Sequence, residues 1–83
     1  MKEVFVVNQV KLGKRNEEFH RHAFSNEEEA RRYCINFLYN SSTLEDRTNN
    51  KIEISDFPSH IEYSLFTSFY GEITLIIRNV KLD

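Results

Sequence analysis

The sequence predicts a small α+β domain, in which one amphipathic helix packs across an antiparallel sheet in the order β-β-α-β-β. Within residues 25–39, apolar side chains recur at helical spacing and form one stripe: Ala30, Tyr33, Cys34, Phe37 and Leu38. Runs rich in β-branched and aromatic residues, typical of strands, lie on both sides of this helix. No internal repeat or linker divides the 83 residues, so we expect a single domain over residues 1–83.

The first two strands form a predicted hairpin. Val4 to Val7, followed by Val10, predicts a strand over residues 3–10. A polar connection over residues 11–16 contains Gly13, which can adopt a positive φ in a turn. Residues 17–24 can then run back as the second strand.

The helix has a clear start signal. Ser25 precedes Glu28 by three residues, the spacing of a capping box, so we expect Ser25 to cap the helix. Glu27 with Arg31 and Glu28 with Arg32 are i,i+4 pairs in the favourable order.

The second half of the chain leaves one element open. Residues 40–50 have little to bury, which predicts a mobile surface loop with room for one helical turn after Thr43. Residues 51–55 alternate like a short extra strand. Residues 61–70 are either a strand, which their Ile, Tyr, Phe and Thr content favours, or a helix capped by Ser59 and Glu62. Gly71 then turns into a strand over 73–82, where Ile76-Ile77 indicates a bulge or burial on both faces.

Composition narrows the class of protein. The single Cys34 excludes an intramolecular disulfide, and no apolar run approaches a membrane span, so we expect a cytoplasmic protein. A net charge of −2 argues against broad nucleic-acid affinity. The scarcity of Gly, Pro and Ala beside frequent Asn, Ile and Lys indicates an AT-rich source, such as a phage or mobile element.

The first hairpin is locally basic and is the candidate partner-binding site. Its cationic side chains are Lys14, Arg15, His20, Arg21 and His22. These side chains suit an acidic protein groove; alternatively, Lys14, Arg15 and Arg21 would contact the phosphates of a nucleic acid. The plain interpretation is a solubilising tip on an ordinary hairpin.

Catalysis and metal binding are weakly indicated. Glu18, His20 and His22 would share one face of a strand, yet further ligands are missing, so we expect no metal and no cofactor. No glycine-rich phosphate loop is present, and Cys34 lies on the apolar stripe as a core thiol. A small ribonuclease using His20 or His22 with Arg21 and Lys14 is the least favoured function, and we expect a protein that is not an enzyme.

One helix covers one face of such a sheet, and the strand residues are apolar on both faces. We therefore expect a homodimer or an obligate protein partner, contacting the sheet face or an edge strand, unless residues 40–58 or a second helix cover it. The sequence thus predicts a small protein-interaction module, for example an inhibitor or accessory factor. It would bind through the basic hairpin, the apolar sheet face or, as a second candidate surface, the polar loop from Ser41 to Asn50.

Overall fold

The computed structural model describes residues 2–15 and 19–82, with only the backbone described at 19–21. It confirms the α+β fold. The strands and helices are β1 (Lys2–Leu12), β2 (Phe19–Phe24), α1 (Glu27–Asn40), α2 (Leu44–Asn49), β3 (Glu53–Asp56), β4 (Ile61–Thr67) and β5 (Gly71–Leu82). The predicted first residues of the second strand, 17 and 18, lie outside the described part of the chain.

The strands form one antiparallel sheet in the order β2-β1-β5-β4-β3. β1 and β5 occupy its centre and pair along nearly their whole length, from Lys2 opposite Leu82 to Leu12 opposite Ile73. Residues 61–67 form a strand, so the strand interpretation is confirmed and the helix capped by Ser59 is wrong. The predicted short strand at 51–55 is also present, displaced to Glu53–Asp56.

The helix α1 begins one residue later than the capping box at Ser25 predicted. Asn26 is the N-cap, with an extended backbone, and its side-chain oxygen accepts a hydrogen bond from the Glu29 N–H at 2.8 Å. Asn caps as well as Ser, and Asn26 also precedes a glutamate by three residues, so the sequence offered two overlapping starts. Both predicted ion pairs, Glu27 with Arg31 and Glu28 with Arg32, are present at 3.1 Å.

The segment after α1 contains the helical turn that the sequence predicted after Thr43. α2 occupies Leu44–Asn49 and starts with a reciprocal capping box, in which Thr43 and Asp46 each accept a hydrogen bond from the other's backbone N–H. Asp46 is buried, although the sequence suggested that this segment had little to bury. Hydrogen bonds of Asp46 with Ser68 and of Arg47 with Tyr39 and Ser42, rather than an apolar stripe, hold α2 in place.

The core lies between α1 and one face of the sheet. Ala30, Cys34 and Leu38 of α1 are fully buried, as their spacing predicted, with Tyr33 and Phe37 partly buried beside them. The sheet contributes Val7, Tyr63, Leu65, Ile73, Leu75 and Ile77.

The other face of the sheet, which we call the open face, is divided in composition. Ile76 lies on it and is only 4% exposed, while Ile77 on the helix side is 2% exposed, so the pair reflects burial on both faces. The bulge lies instead in β1, between Gln9 and Lys11. By register, the half of the open face formed by β1 and the end of β5 carries four apolar side chains, Val4, Val6, Val80 and Leu82, beside the cations Lys2 and Arg78. The half formed by β3 and β4 carries Glu53, Ser55, Glu62 and Ser64. The expectation of an apolar second face is therefore wrong for the β3–β4 half. There, polar and apolar residues alternate along each strand, and the polar ones lie on the open face.

Candidate functional site

The β1–β2 and β4–β5 turns meet at one end of the sheet. Because β1 ends beside the start of β5, the Gly13 N–H donates to the Glu72 carbonyl at 2.7 Å. Gly13 and Gly71 both have positive φ, +61° and +81°. A Cβ on Gly13 would lie 2.7 Å from the Tyr70 carbonyl oxygen, closer than any side chain tolerates. Glycine thus lets the two turns touch.

Three exposed aromatic side chains surround the β4–β5 turn, and we call them the aromatic tip: Phe66, Phe69 and Tyr70. Phe69 is 83% exposed, and its ring meets the Tyr70 ring edge to face, with centroids 4.7 Å apart. Phe66 lies on the open face at the end of β4 and is 56% exposed. Phe69 and Tyr70 contact each other, and contiguous exposed apolar side chains of this kind mark a candidate interaction surface.

The backbone of this turn is held by side chains that come from two directions. The Thr67 hydroxyl donates to the Gly71 carbonyl at 2.9 Å and accepts from the Tyr70 N–H at 3.1 Å. From α2, the Asp46 Oδ1 atom accepts from the Ser68 N–H at 3.1 Å. The pKa of Asp46 is lowered, first by the Thr43 N–H and then by the bonds from Ser68, because these donors favour the carboxylate. The turn is therefore fixed although its aromatic side chains are exposed.

The predicted basic residues separate into two groups. Lys14 and Arg15 are exposed in the β1–β2 turn, beside the aromatic tip. His22 lies further along β2, opposite Val7, and its ring is 4.7 Å from the ring of Tyr33 on α1. The side chains of His20 and Arg21 lie outside the described part of the structure. Among the predicted basic side chains that the structure describes, Lys14 and Arg15 are the ones in the turn whose Gly13 lies against the Tyr70 backbone.

The thiol and the candidate metal ligands do not form a described site. Cys34 is fully buried, and its burial raises its pKa to about 12. Glu18 and the His20 side chain of the metal hypothesis are not among the described residues. Within the described ranges, no three His, Cys, Asp or Glu side chains come close enough together to hold a metal ion.

A shallow groove of about 580 Å³ crosses the polar half of the open face. Lys11 pairs with Glu72 at 2.6 Å, and the Ser64 and Thr74 hydroxyls are 3.1 Å apart, while the carboxylates of Glu53 and Glu62 also line the groove. The lining contains no histidine or cysteine, and its ionisable side chains are Lys11 and the carboxylates of Glu53, Glu62 and Glu72, all on an open surface. The groove is therefore a weaker candidate for the functional site than the aromatic tip.

The comparisons with known proteins add no relative: no protein-family model, no curated protein and no solved structure matches the chain. Among residues 2–15 and 19–82, no helix is both long enough and apolar enough to cross a membrane.

Sequence reasoning had missed two members of this site, Phe69 and Asp46. Phe69 lies within the predicted strand over residues 61–70, and Asp46 within the predicted loop over residues 40–50. The spacing from Thr43 to Asp46 does resemble a capping box in the sequence, but no local signal links Asp46 to Ser68, which lies 22 residues away.

Proposed function

We propose that this chain is a protein-binding module whose recognition surface is the aromatic tip together with Lys14 and Arg15. One observation carries the proposal: the turn is fixed by Thr67, Asp46 and two close glycines, yet it leaves the Phe69 ring 83% exposed. A ring in this position contributes no buried apolar surface to the core. The turn does present aromatic side chains on a backbone that is held in one conformation.

The physical chemistry of interfaces supports this function. Aromatic side chains and Arg are the residues that most often supply binding energy in protein complexes. A turn that is already fixed loses little further conformational entropy on binding, so more of the contact energy appears as affinity. Lys14 and Arg15 beside the rings favour a partner with acidic side chains around an apolar pocket.

Nucleic-acid binding is the second candidate function. The observation that favours it is the position of exposed rings beside two cations, because bases stack on aromatic rings while cations contact phosphates. Glu72 at the base of the turn and the net charge of −2 oppose it. Salt separates the two, since phosphate contacts weaken steeply between about 50 and 200 mM salt, whereas an aromatic protein contact does not.

The proposal also covers the role of the protein and the compartment in which it acts. A role as an inhibitor or accessory factor in a reducing cytoplasm is consistent with a single cysteine that remains a buried free thiol.

Photo-crosslinking in the source cell tests the proposed function. We would place the photoreactive residue p-benzoylphenylalanine at position 69 and, as a control, at Asn36, which is exposed on α1. The proposal predicts a discrete protein adduct from position 69 that is absent from position 36 and resists nuclease. An adduct that nuclease removes would transfer the function to nucleic acid. Equal labelling from both positions would reject the aromatic tip.

A further inference from the structure

The groove on the polar half of the open face, which we call the open-face groove, continues to the aromatic tip. This groove of about 580 Å³ and a smaller cavity of about 210 Å³ share three lining residues, Glu53, Ser64 and Glu72. The smaller cavity is also lined by Phe66, which lies opposite Glu72 on the same face. A partner bound at the aromatic tip can therefore extend directly into the groove.

The groups of the open-face groove that lack a counterpart are hydrogen-bond acceptors. The lining has one cation, Lys11, and this side chain pairs with Glu72 at 2.6 Å. Among the described side chains, none forms an ion pair with Glu53 or Glu62. By the register of β3 with β4, these two glutamates are diagonal neighbours on adjacent strands, and their like charges repel. A cation between them would relieve this repulsion.

A buried amide on the same face also lacks a donor. Asn8 is 5% exposed, and its Oδ1 atom accepts no hydrogen bond within the described part of the chain. Asn8 lies opposite Ile76 and Ile76 opposite Glu62, so the three share the open face, and Val10, two residues further on, lines the groove. Native proteins rarely keep a buried acceptor without a donor, because it costs free energy. Independently of the carboxylates, Asn8 thus indicates a ligand that donates hydrogen bonds.

We propose that the protein partner of the aromatic tip places an arginine side chain in the open-face groove, between Glu53 and Glu62. This inference rests on the proposed function. A guanidinium group is planar and carries five N–H donors, so it can bond two neighbouring carboxylates at once, whereas a lysine ammonium is a compact point charge. The larger cavity is the place for this group, because Lys51 lines the smaller one.

The charges on the two sides of the aromatic tip set the direction of the partner. The tip borders the turn of Lys14 and Arg15 at Tyr70, and it borders the open-face groove at Phe66. A partner that fits both sides carries acidic side chains toward the turn and the arginine toward the groove. The reversed orientation would set like charges against each other, which is unfavourable.

Photo-crosslinking from the groove tests whether the partner extends this far. Ser55 is exposed and lines the groove, so we would place p-benzoylphenylalanine there, with Asn36 again as the control position. We expect position 55 to capture the same protein as position 69 and position 36 to capture none. Mass spectrometry of the digested adduct should find an arginine within a few residues of the attachment site.

The outcomes separate this inference from the proposed function. An adduct from position 69 with none from position 55, or an attachment segment without arginine, would overturn the arginine contact and leave the aromatic tip in place. The absence of an adduct from position 69 would overturn the proposed function itself.

Removing the two carboxylate charges tests the contact quantitatively. The double variant Glu53→Gln/Glu62→Gln should bind the captured protein about tenfold more weakly, the factor that corresponds to one hydrogen bond to a charged group. The matched control Glu28→Gln/Glu29→Gln removes the same charge from exposed positions in the first turn of α1 and should bind like the wild type. The loss should vanish when the partner's identified arginine is replaced by glutamine. No loss in the groove variant, or an equal loss in both double variants, would overturn the inference.

Discussion

At the scale of the residue, burial decides what Cys34 can do. Its pKa, raised from 9.0 to about 12 by desolvation, keeps the thiol neutral in the folded protein at physiological pH. Because the pKa of Cys34 is higher in the folded than in the unfolded protein, the contribution of this thiol to the free energy of unfolding is constant below about pH 9. The contribution falls as the pH rises toward 12. Urea unfolding from pH 8 upward should show this fall in the wild type and a shallower one in Cys34→Ala. Identical slopes would show that the thiol is not desolvated.

At the same scale, mutagenesis can decide whether Asn26 or Ser25 caps the helix α1. Asn26→Ala removes the acceptor of the Glu29 N–H and should lower the free energy of unfolding by about 1 kcal/mol. Ser25→Ala, one position earlier, should change it little. Chemical denaturation of the two variants measures both values, and a larger loss in Ser25→Ala would restore the start that the sequence suggested.

At the scale of the element, Asp46 joins α2 to the β4–β5 turn. Its Oδ2 atom accepts from the Thr43 N–H and its Oδ1 atom from the Ser68 N–H, and an asparagine has only one acceptor oxygen for these two donors. Asp46→Asn should therefore lower the melting temperature and the hydrogen-exchange protection of the Ser68 amide. Glu45→Gln, at the exposed neighbouring position, is the control.

The same carboxylate makes the turn sensitive to acid. Because the pKa of Asp46 is lowered from 3.8 in the folded protein, its contribution is complete above that pH and is lost as pH falls through the folded value. The Ser68 amide of the wild type should lose protection in this acid range, while that of Asp46→Asn is low throughout. Protection in the wild type that does not depend on acid would contradict the role of Asp46.

The elements differ in how far the sequence predicted them. The α1 stripe and the strand composition of β1, β4 and β5 were sufficient, because helix and strand periodicity report on which face is buried. The helical turn predicted after Thr43 is present as α2, and the sequence offered two overlapping starts for α1 of which Asn26 is the one used. The contact of Asp46 with Ser68 and the polar half of the open face were not predicted, because they depend on residues that are distant in the sequence. The same holds for the candidate site. The sequence identified Lys14 and Arg15 as a local cluster of positive charge, but only the pairing of β1 with β5 brings their turn next to that of Phe69 and Tyr70.

At the scale of the whole molecule, truncating a core side chain should lower the free energy of unfolding far more than truncating a side chain of the aromatic tip. Leu38→Ala leaves a cavity between α1 and the sheet and should cost about 2–5 kcal/mol, a large share of the stability of a small domain. Phe69→Ala removes a ring that is mostly in water and should cost almost nothing. Urea unfolding compares the two, and a large loss for Phe69→Ala would mean that its ring is structural.

The most direct measurement is the affinity of the protein captured from position 69 for the wild type and for Phe69→Ala, by calorimetric titration. We predict a loss of about 30-fold or more, the value expected for an aromatic hot spot, with the melting temperature of Phe69→Ala unchanged. An affinity that is the same for both would contradict the account, because a fixed turn that presents Phe69 would then serve no partner.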